Sequence, residues 1–176
     1  MNLNQYGWDP MLYPRSAEGE PARITAVHRE RYEIISEYGA GHARLKASVY
    51  QMGLYDYPTV GDFVLIRYCV SGDSQIVATL PRRTFFSRRD PTPGRDEQAI
   101  AANFDTVFVL QSMNPDFNIA RLERYLTIAR QSGAETVILL TKADLTGDCQ
   151  TYVDRIRTSV CDIPIYPISA HTSSSG

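Results

Sequence analysis

Hydrophobic and polar positions alternate with one period in the first half of the chain and with another in the second half. Up to residue 80, short β-branched runs are separated by glycine and proline, which is the pattern of successive strands in a sheet. Five strands are predicted, over residues 23–28, 31–37, 42–48, 62–69 and 75–80. Five strands in about sixty residues predict a closed β barrel of the OB-fold type, and an SH3-like barrel fits nearly as well.

The second half has the longer apolar runs and the helical spacing of an α/β fold. Residues 106–110 and 136–140 are continuous apolar runs, typical of strands buried on both faces of a parallel sheet. Two helices and an edge strand are also predicted, between Asn118 and Gly133, over residues 146–160 and over residues 163–168. This β-α-β-α-β order implies right-handed crossovers and places ligands at the carboxyl ends of the strands.

The two periods divide the chain into four segments. Residues 1–20 follow neither period and are predicted to be a mobile arm. The barrel occupies residues 21–83. Residues 84–102 contain two prolines and a glycine among arginines, so an arginine-rich connector is predicted there. Residues 103–176 are predicted to form a three-layer α/β fragment with a parallel sheet, and 176 residues suffice for two small domains.

Composition excludes several classes of protein. No apolar run approaches the ~20 residues that a membrane span needs, and the N-terminus has no basic stretch leading into an apolar segment. The three cysteines form no CxxC pair and the three histidines are scattered, so neither a disulfide framework nor a metal site is predicted. The protein is therefore interpreted as cytoplasmic, and a monomer is expected.

The charge distribution favours nucleic-acid binding by the barrel. Its segment is basic, since eight basic residues exceed six acidic ones, although the whole chain has a net charge of −2. OB barrels bind nucleic acid on strands 2 and 3 and the adjoining loops, and arginine both pairs with phosphates and stacks on bases. The predicted RNA-binding residues are Arg29, Arg31, Arg44, Lys46, Arg82, Arg83, Arg88 and Arg89.

Simpler interpretations of the same residues remain open. Phe85 and Phe86, which lie between the last two pairs of arginines, also suit packing between domains. Half of the arginines could instead pair with nearby acidic residues, namely Glu30, Glu33 and Glu37.

A candidate guanine-binding loop follows the second buried strand, at Thr141-Lys142-Ala143-Asp144. Guanine presents two adjacent donors, N1–H and the exocyclic amine, and one carboxylate can accept both, so Asp144 would select guanine over adenine. Lys142 can lay its alkyl stem on the purine face, and Ser169-Ala170, after the third strand, can offer a backbone N–H to the base O6. The alternative is that Lys142 and Asp144 are solvated loop charges.

The phosphate-binding parts of a GTPase are missing from these 176 residues. GTP hydrolysis needs a GxxxxGK[ST] loop and a magnesium-binding aspartate. The only lysines, Lys46 and Lys142, do not follow glycine, so this loop is absent. The stretch from Asp144 to Gly147 matches DxxG by chance, because one carboxylate cannot both read the base and organise magnesium.

Several long blocks of sequence between residues 22 and 170 are distinctive. They are LPRRTFFSRR at 80–89, EQAIAANFDTVFVLQSMNPDFN at 97–118, ARLERYLTIARQSGA at 120–134, TKADL at 141–145 and SA at 169–170. Together they resemble the ribosome-small-subunit-dependent GTPase A family (RsgA, also called YjeQ or EngC). These GTPases are circularly permuted, with the base-reading motifs ahead of the phosphate loop, so the chain resembles the N-terminal part of a longer protein.

The resemblance implies a function for that longer protein. It would be a GTPase that binds GTP and GDP, uses Mg²⁺ and helps late maturation of the small ribosomal subunit, with its OB domain on rRNA. Zn²⁺ would bind in the family's C-terminal region, beyond Gly176. Thr141, Lys142 and Asp144 would read guanine, with Ser169 and Ala170 as the following base loop. The family often has Asn where this chain has Thr141, which would weaken the tether between loops.

Other functions remain open at this point. These 176 residues alone are not expected to hydrolyse GTP. A second hypothesis is a stand-alone OB-fold RNA-binding module whose α/β half is structural. A third hypothesis is an unrelated α/β enzyme that uses Asp105, Asp144 or His171, although nothing pairs these residues at a catalytic spacing.

Overall fold

The computed structural model describes residues 2–13, 18–29, 31–46, 57–89 and 97–170. It divides into two compact units, Met1–Phe104 and Asp105–Gly176, which are described separately. Glu30, His171 and the side chain of Arg89 lie outside the described set, as do the end of the predicted third strand and the middle of the predicted connector. In the described ranges, no helix is long and apolar enough to cross a membrane.

The first unit contains the five-stranded barrel that the sequence predicts. Its strands are β1 (Glu20–His28), β2 (Arg31–Ser36), β3 (Gly39–Leu45), β4 (Phe63–Arg67) and β5 (Ser74–Thr79). They close in the order β1-β2-β3-β5-β4, with β3 and β5 parallel and the other pairs antiparallel. This is the arrangement of an OB barrel rather than an SH3-like one. Alternate side chains fill the interior, among them Ile24, Ile34, Ala43, Val64 and Ile76.

The N-terminal residues differ from the mobile arm that the sequence predicts. Leu3–Tyr6 forms a 3-10 turn, and Leu3, Trp8 and Tyr13 are buried against Phe63 of β4. The Trp8 and Tyr13 rings stack with centroids 5.3 Å apart. The segment shows no period because it packs through separate aromatic anchors rather than through one face of a helix or strand.

The predicted connector contains an antiparallel hairpin, formed by β6 (Phe85–Arg89) and β7 (Glu97–Ala102). The backbone N–H of Ala102 donates to the Val60 carbonyl at 2.9 Å, which ties β7 to the loop before β4. Gly61 is required at this approach, because its φ is +89° and an added Cβ would lie 2.0 Å from the Ala102 carbonyl oxygen. Both strands therefore belong to the first compact unit.

The second unit contains the predicted parallel sheet. Its elements are β8 (Thr106–Ser112), α1 (Ile119–Gln131), β9 (Glu135–Thr141), α2 (Cys149–Arg157) and β10 (Ile165–Pro167), with strand order β10-β9-β8. Asn118 caps α1 as predicted, its side chain accepting from the Arg121 N–H at 2.9 Å. The second helix starts at Cys149 rather than at 146, because the Asp148 side chain supplies its cap.

Both helices cover the same face of this sheet. Val109, Ile138 and Leu140 of the strands form one buried cluster with side chains of α1 and α2. Consecutive strand order with right-handed crossovers places successive helices on one side. On the opposite face, Phe108 and Leu110 are 58% and 59% exposed. The prediction that β8 is buried on both faces is therefore wrong for the described residues, which form two of the three predicted layers.

Candidate functional site

The candidate guanine loop turns sharply where β9 ends. Lys142 has a left-handed backbone with φ of +64°, and Ala143–Leu145 then forms one 3-10 turn. A left-handed conformation is uncommon for a residue with a side chain and costs about 1 kcal/mol or more, so surrounding contacts must hold it. The turn leaves the side chains of Lys142 and Asp144 exposed at the carboxyl end of the strand.

Backbone hydrogen bonds hold this loop from both sides. The Ala143 N–H donates to the Ile168 carbonyl at 3.1 Å, and the Ile168 N–H donates to the Leu140 carbonyl at 2.8 Å. On the other side, the Met113 N–H donates to the Thr141 carbonyl at 3.0 Å. The predicted loop is thus tied through its backbone, including the Thr141 carbonyl, to the segments after β8 and β10.

The structure brings Asp144 and Ser169 together, as two neighbouring parallel strands bring their carboxyl ends together. The Ser169 hydroxyl donates to Oδ1 of Asp144 at 2.6 Å. A carboxylate has about four acceptor positions, so this bond orients the group and leaves capacity for further donors. Ala170 follows directly and is exposed. Sequence reasoning gave Ser169 only a backbone role and missed its hydroxyl, although the register of adjacent parallel strands is the signal that points to it.

The arginines predicted to bind RNA divide into two groups in the first unit. Arg31 on β2 and Arg44 on β3 both bind Asp73 in the β4–β5 loop, each at 2.7 Å. These two guanidinium groups, that of Arg44 first, hold the pKa of the Asp73 carboxyl below its usual range. Glu33, one of the acids considered as an arginine partner, instead lies 2.9 Å from His28. Arg29 is exposed and Lys46 is half-buried near the same strands.

Arg82, by contrast, contacts residues inside the first unit. Its guanidinium forms two hydrogen bonds with the fully buried Asp62 carboxylate, at 2.8 and 2.7 Å, and lies over the Phe85 ring. Only 17% of the Arg82 side chain is exposed. This geometry gives Arg82 a role in the packing of the unit, and its contact with RNA stays a prediction. Arg83 and Arg88 are exposed.

No metal centre lies among the described residues: they contain no group of three or more His, Cys, Asp or Glu side chains placed to hold an ion.

The barrel and the parallel sheet that follows it form a fold that is also found in solved structures of circularly permuted GTPases. Two solved structures share this fold: YjeQ from Thermotoga maritima, with a TM-score of 0.66 over 85% of this chain and 51% of that one, and YloQ, described as a circularly permuted GTPase, with a TM-score of 0.63 over 89% and 54%. Each is 19% identical to the chain. The chain belongs to the RsgA GTPase family, whose model matches residues 79–175.

Curated relatives agree with this assignment. The small ribosomal subunit biogenesis GTPase RsgA 2 of Listeria monocytogenes is 41% identical over 169 residues, which cover 94% of this chain and 47% of the relative. The small ribosomal subunit biogenesis GTPase RsgA of Leptospira interrogans is 37% identical over 174 residues, covering 96% and 48%. The chain therefore spans about half the length of the curated relatives it matches.

Proposed function

We propose that the whole protein is a cytoplasmic, monomeric GTPase that acts in late maturation of the small ribosomal subunit. Membership of the RsgA family and the names of its relatives support this proposal. The observation that carries it is the Asp144 carboxylate, held by the Ser169 hydroxyl at 2.6 Å on a loop at the carboxyl edge of the sheet. In this proposal, these 176 residues read the base, and GTP hydrolysis requires further residues that bind the phosphates.

The base would be read by five residues with different tasks. Asp144 accepts the N1–H and the exocyclic amine of guanine, while Ser169 fixes the orientation of the carboxylate. The Lys142 stem covers one purine face, and the Ala170 N–H donates to O6. Thr141 holds the loop through its carbonyl. Adenine offers no matching donor pair, so the carboxylate would lack the two charge-assisted hydrogen bonds that guanine supplies.

The barrel would contact rRNA through its basic residues near β2 and β3 and after β5. The residues proposed for this role are Arg29, Arg31, Arg44, Lys46, Arg82, Arg83, Arg88 and Arg89. Asp73 holds Arg31 and Arg44 in fixed positions, and one carboxylate between two guanidinium groups leaves a net positive charge. Each guanidinium carries five donors in a planar fork that suits phosphate oxygens.

Replacement of Asp144 by asparagine in the full-length protein tests the nucleotide part of the proposal. The Asp144→Asn side chain presents an amide donor where the carboxylate accepted, so GTP affinity should fall by about 100-fold or more, as two charge-assisted hydrogen bonds are lost. Xanthosine triphosphate, which has a carbonyl in place of the exocyclic amine, should gain affinity. Isothermal titration with both nucleotides measures the change.

The matched control is Asp148→Asn. Asp148 is a nearby exposed carboxylate that caps α2, and asparagine caps helices equally well. This variant should bind GTP like the unmodified protein. Unchanged GTP preference in Asp144→Asn would refute the assigned base site.

A further inference from the structure

A cleft opens on the first unit between β3 and the β4–β5 loop. It has a volume of about 240 Å³ and is lined by Arg31, Tyr38, Gly39, Gly41, Tyr68 and Asp73, among others. We call it the tyrosine cleft. At about 30 Å³ per water, this volume holds roughly eight waters, which is enough for one planar ring system and smaller than a typical pocket for a whole ligand.

Two exposed tyrosines form one wall of the tyrosine cleft. The Tyr38 and Tyr68 rings stack with centroids 4.0 Å apart and an interplanar angle of 17°. They remain 55% and 43% exposed, so the pair covers its inner faces and presents its outer surface to solvent. Exposed aromatic surfaces beside arginine are what single-stranded nucleic acids use for base stacking.

The glycines of β3 keep the tyrosine cleft open. β3 pairs with β5 only from Ala43 to Leu45. Among the described residues, no strand pairs with the edge of β3 opposite β2 between Gly39 and His42. A Cβ added at Gly41 would meet nothing within 4 Å. This edge also offers backbone N–H and C=O groups, the partners that the polar edge of a base needs.

Charge at the margin of the cleft favours an anionic ligand. Arg31 lines the cleft and is held by Asp73, which also holds Arg44. The side chains of the two arginines are about half exposed. A stacking wall, a polar edge and a positioned guanidinium pair together match a base with its adjoining phosphate better than an apolar peptide side chain.

We infer that the tyrosine cleft binds one unpaired RNA base, stacked on the Tyr38–Tyr68 pair, with the adjoining phosphate on Arg31 and Arg44. This inference rests on the proposed binding of rRNA by the barrel and adds where and how one base is held. The bound nucleotide would be recognised as single-stranded, because a base within a duplex cannot enter a cleft of this size.

The test uses the chain and a short single-stranded RNA of mixed sequence that carries one 2-aminopurine, whose fluorescence is quenched by stacking. Tyr38→Leu and Tyr68→Leu should each weaken binding by a factor of about five to a hundred and reduce the quenching. Tyr38→Phe keeps the ring and should stay within about twofold of the unmodified chain. Gly41→Leu fills the cleft without removing an aromatic ring and should also abolish the quenching.

Two matched controls lie in the second unit. Tyr125→Leu replaces another exposed tyrosine, and Gly147→Leu replaces another glycine with open space around it. Both should bind RNA like the unmodified chain. Equal losses in these controls and in the cleft variants would overturn the base site.

Arg31→Ala separates failure of the base site from failure of the proposed function. If it weakens binding while the tyrosine and Gly41 variants bind and quench normally, the base site is refuted and RNA binding by the barrel stands. If none of these variants changes binding, both the base site and this RNA-binding face are refuted. Binding of duplex RNA with equal affinity and equal sensitivity to the tyrosine variants would also overturn the inference.

Discussion

The barrel and the parallel sheet differ in whether their edge strands are paired. The five barrel strands close on themselves, so every strand has two neighbours and the inward side chains form one buried cluster. The three strands of the sheet stay open, with both helices on one face and apolar side chains exposed on the other. The closed sheet thus buries its interior within these residues, whereas the described part of the open sheet leaves apolar side chains exposed on one face.

The two candidate sites follow from this difference. The basic residues and the lining of the tyrosine cleft lie on the outside of the barrel and in its loops. The closed barrel holds these strands and loops in place. The sheet presents the guanine loop at its carboxyl edge, where backbone hydrogen bonds to Met113 and Ile168 hold it. The first site depends on barrel closure, and the second depends on the alignment of three parallel strands.

The largest expected effect tests the self-sufficiency of the barrel unit. Arg82→Ala would leave the fully buried Asp62 carboxylate without its guanidinium partner. The free energy of unfolding should therefore fall by about 3–5 kcal/mol. Urea unfolding followed by the fluorescence of Trp8, the only tryptophan, measures this unit directly. Hydrogen exchange in α1 should remain unchanged.

The control for this prediction is Arg83→Ala. Arg83 is exposed, and its backbone N–H, which donates to the Asn103 side chain at 2.9 Å, is retained in alanine. The free energy of unfolding should fall by about 0.5 kcal/mol or less. A similar loss in both variants would contradict the importance of the buried pair.

A smaller effect compares the two faces of the open sheet. Leu140→Ala removes a side chain that is fully buried between the sheet and its helices and should cost about 2–5 kcal/mol. Leu110→Ala makes the same change on the exposed face and should cost about 0.5 kcal/mol or less. Hydrogen exchange of the α1 amides in the chain reports both values. Equal destabilisation would mean that the exposed face is packed.

Sequence reasoning succeeded where a repeated pattern marks one face of an element. The alternation of the barrel strands predicted the barrel, the apolar runs predicted the parallel sheet, and the helical spacing from Asn118 predicted the first helix and its cap. It failed where contacts are individual or distant in sequence. Trp8 and Tyr13 pack as single anchors, and Asp73 meets Arg31 and Arg44 across 42 and 29 residues. The candidate guanine loop was predicted because its motif follows a strand, while the contact of the Ser169 hydroxyl with Asp144 required the register of β10 against β9.

The smallest expected effect concerns the pKa values of two carboxylates, one in each unit, and how they change stability with pH and respond to salt. The pKa of Asp73 is lowered chiefly by its hydrogen bonds to Arg44 and Arg31, and that of Asp148 by its hydrogen bonds to Thr151. A folded pKa below the unfolded value stabilises the fold at pH above that unfolded value, near 3.8, and the stabilisation is lost as the pH falls through the folded pKa. Both carboxylates should therefore weaken the fold only in acid.

The pKa shifts of these two carboxylates should respond differently to ionic strength. The Asp73 shift depends on two charged partners at an exposed site, so raising the ionic strength should move its pKa back toward the ordinary value. The Asp148 shift comes from neutral donors and should hardly change. Carboxyl titration by NMR at low and high salt measures both, with Asp73→Asn and Asp148→Asn to assign the signals. An equal response to salt would mean that the arginines around Asp73 do not act through their charge, which would also weaken their proposed role on phosphates.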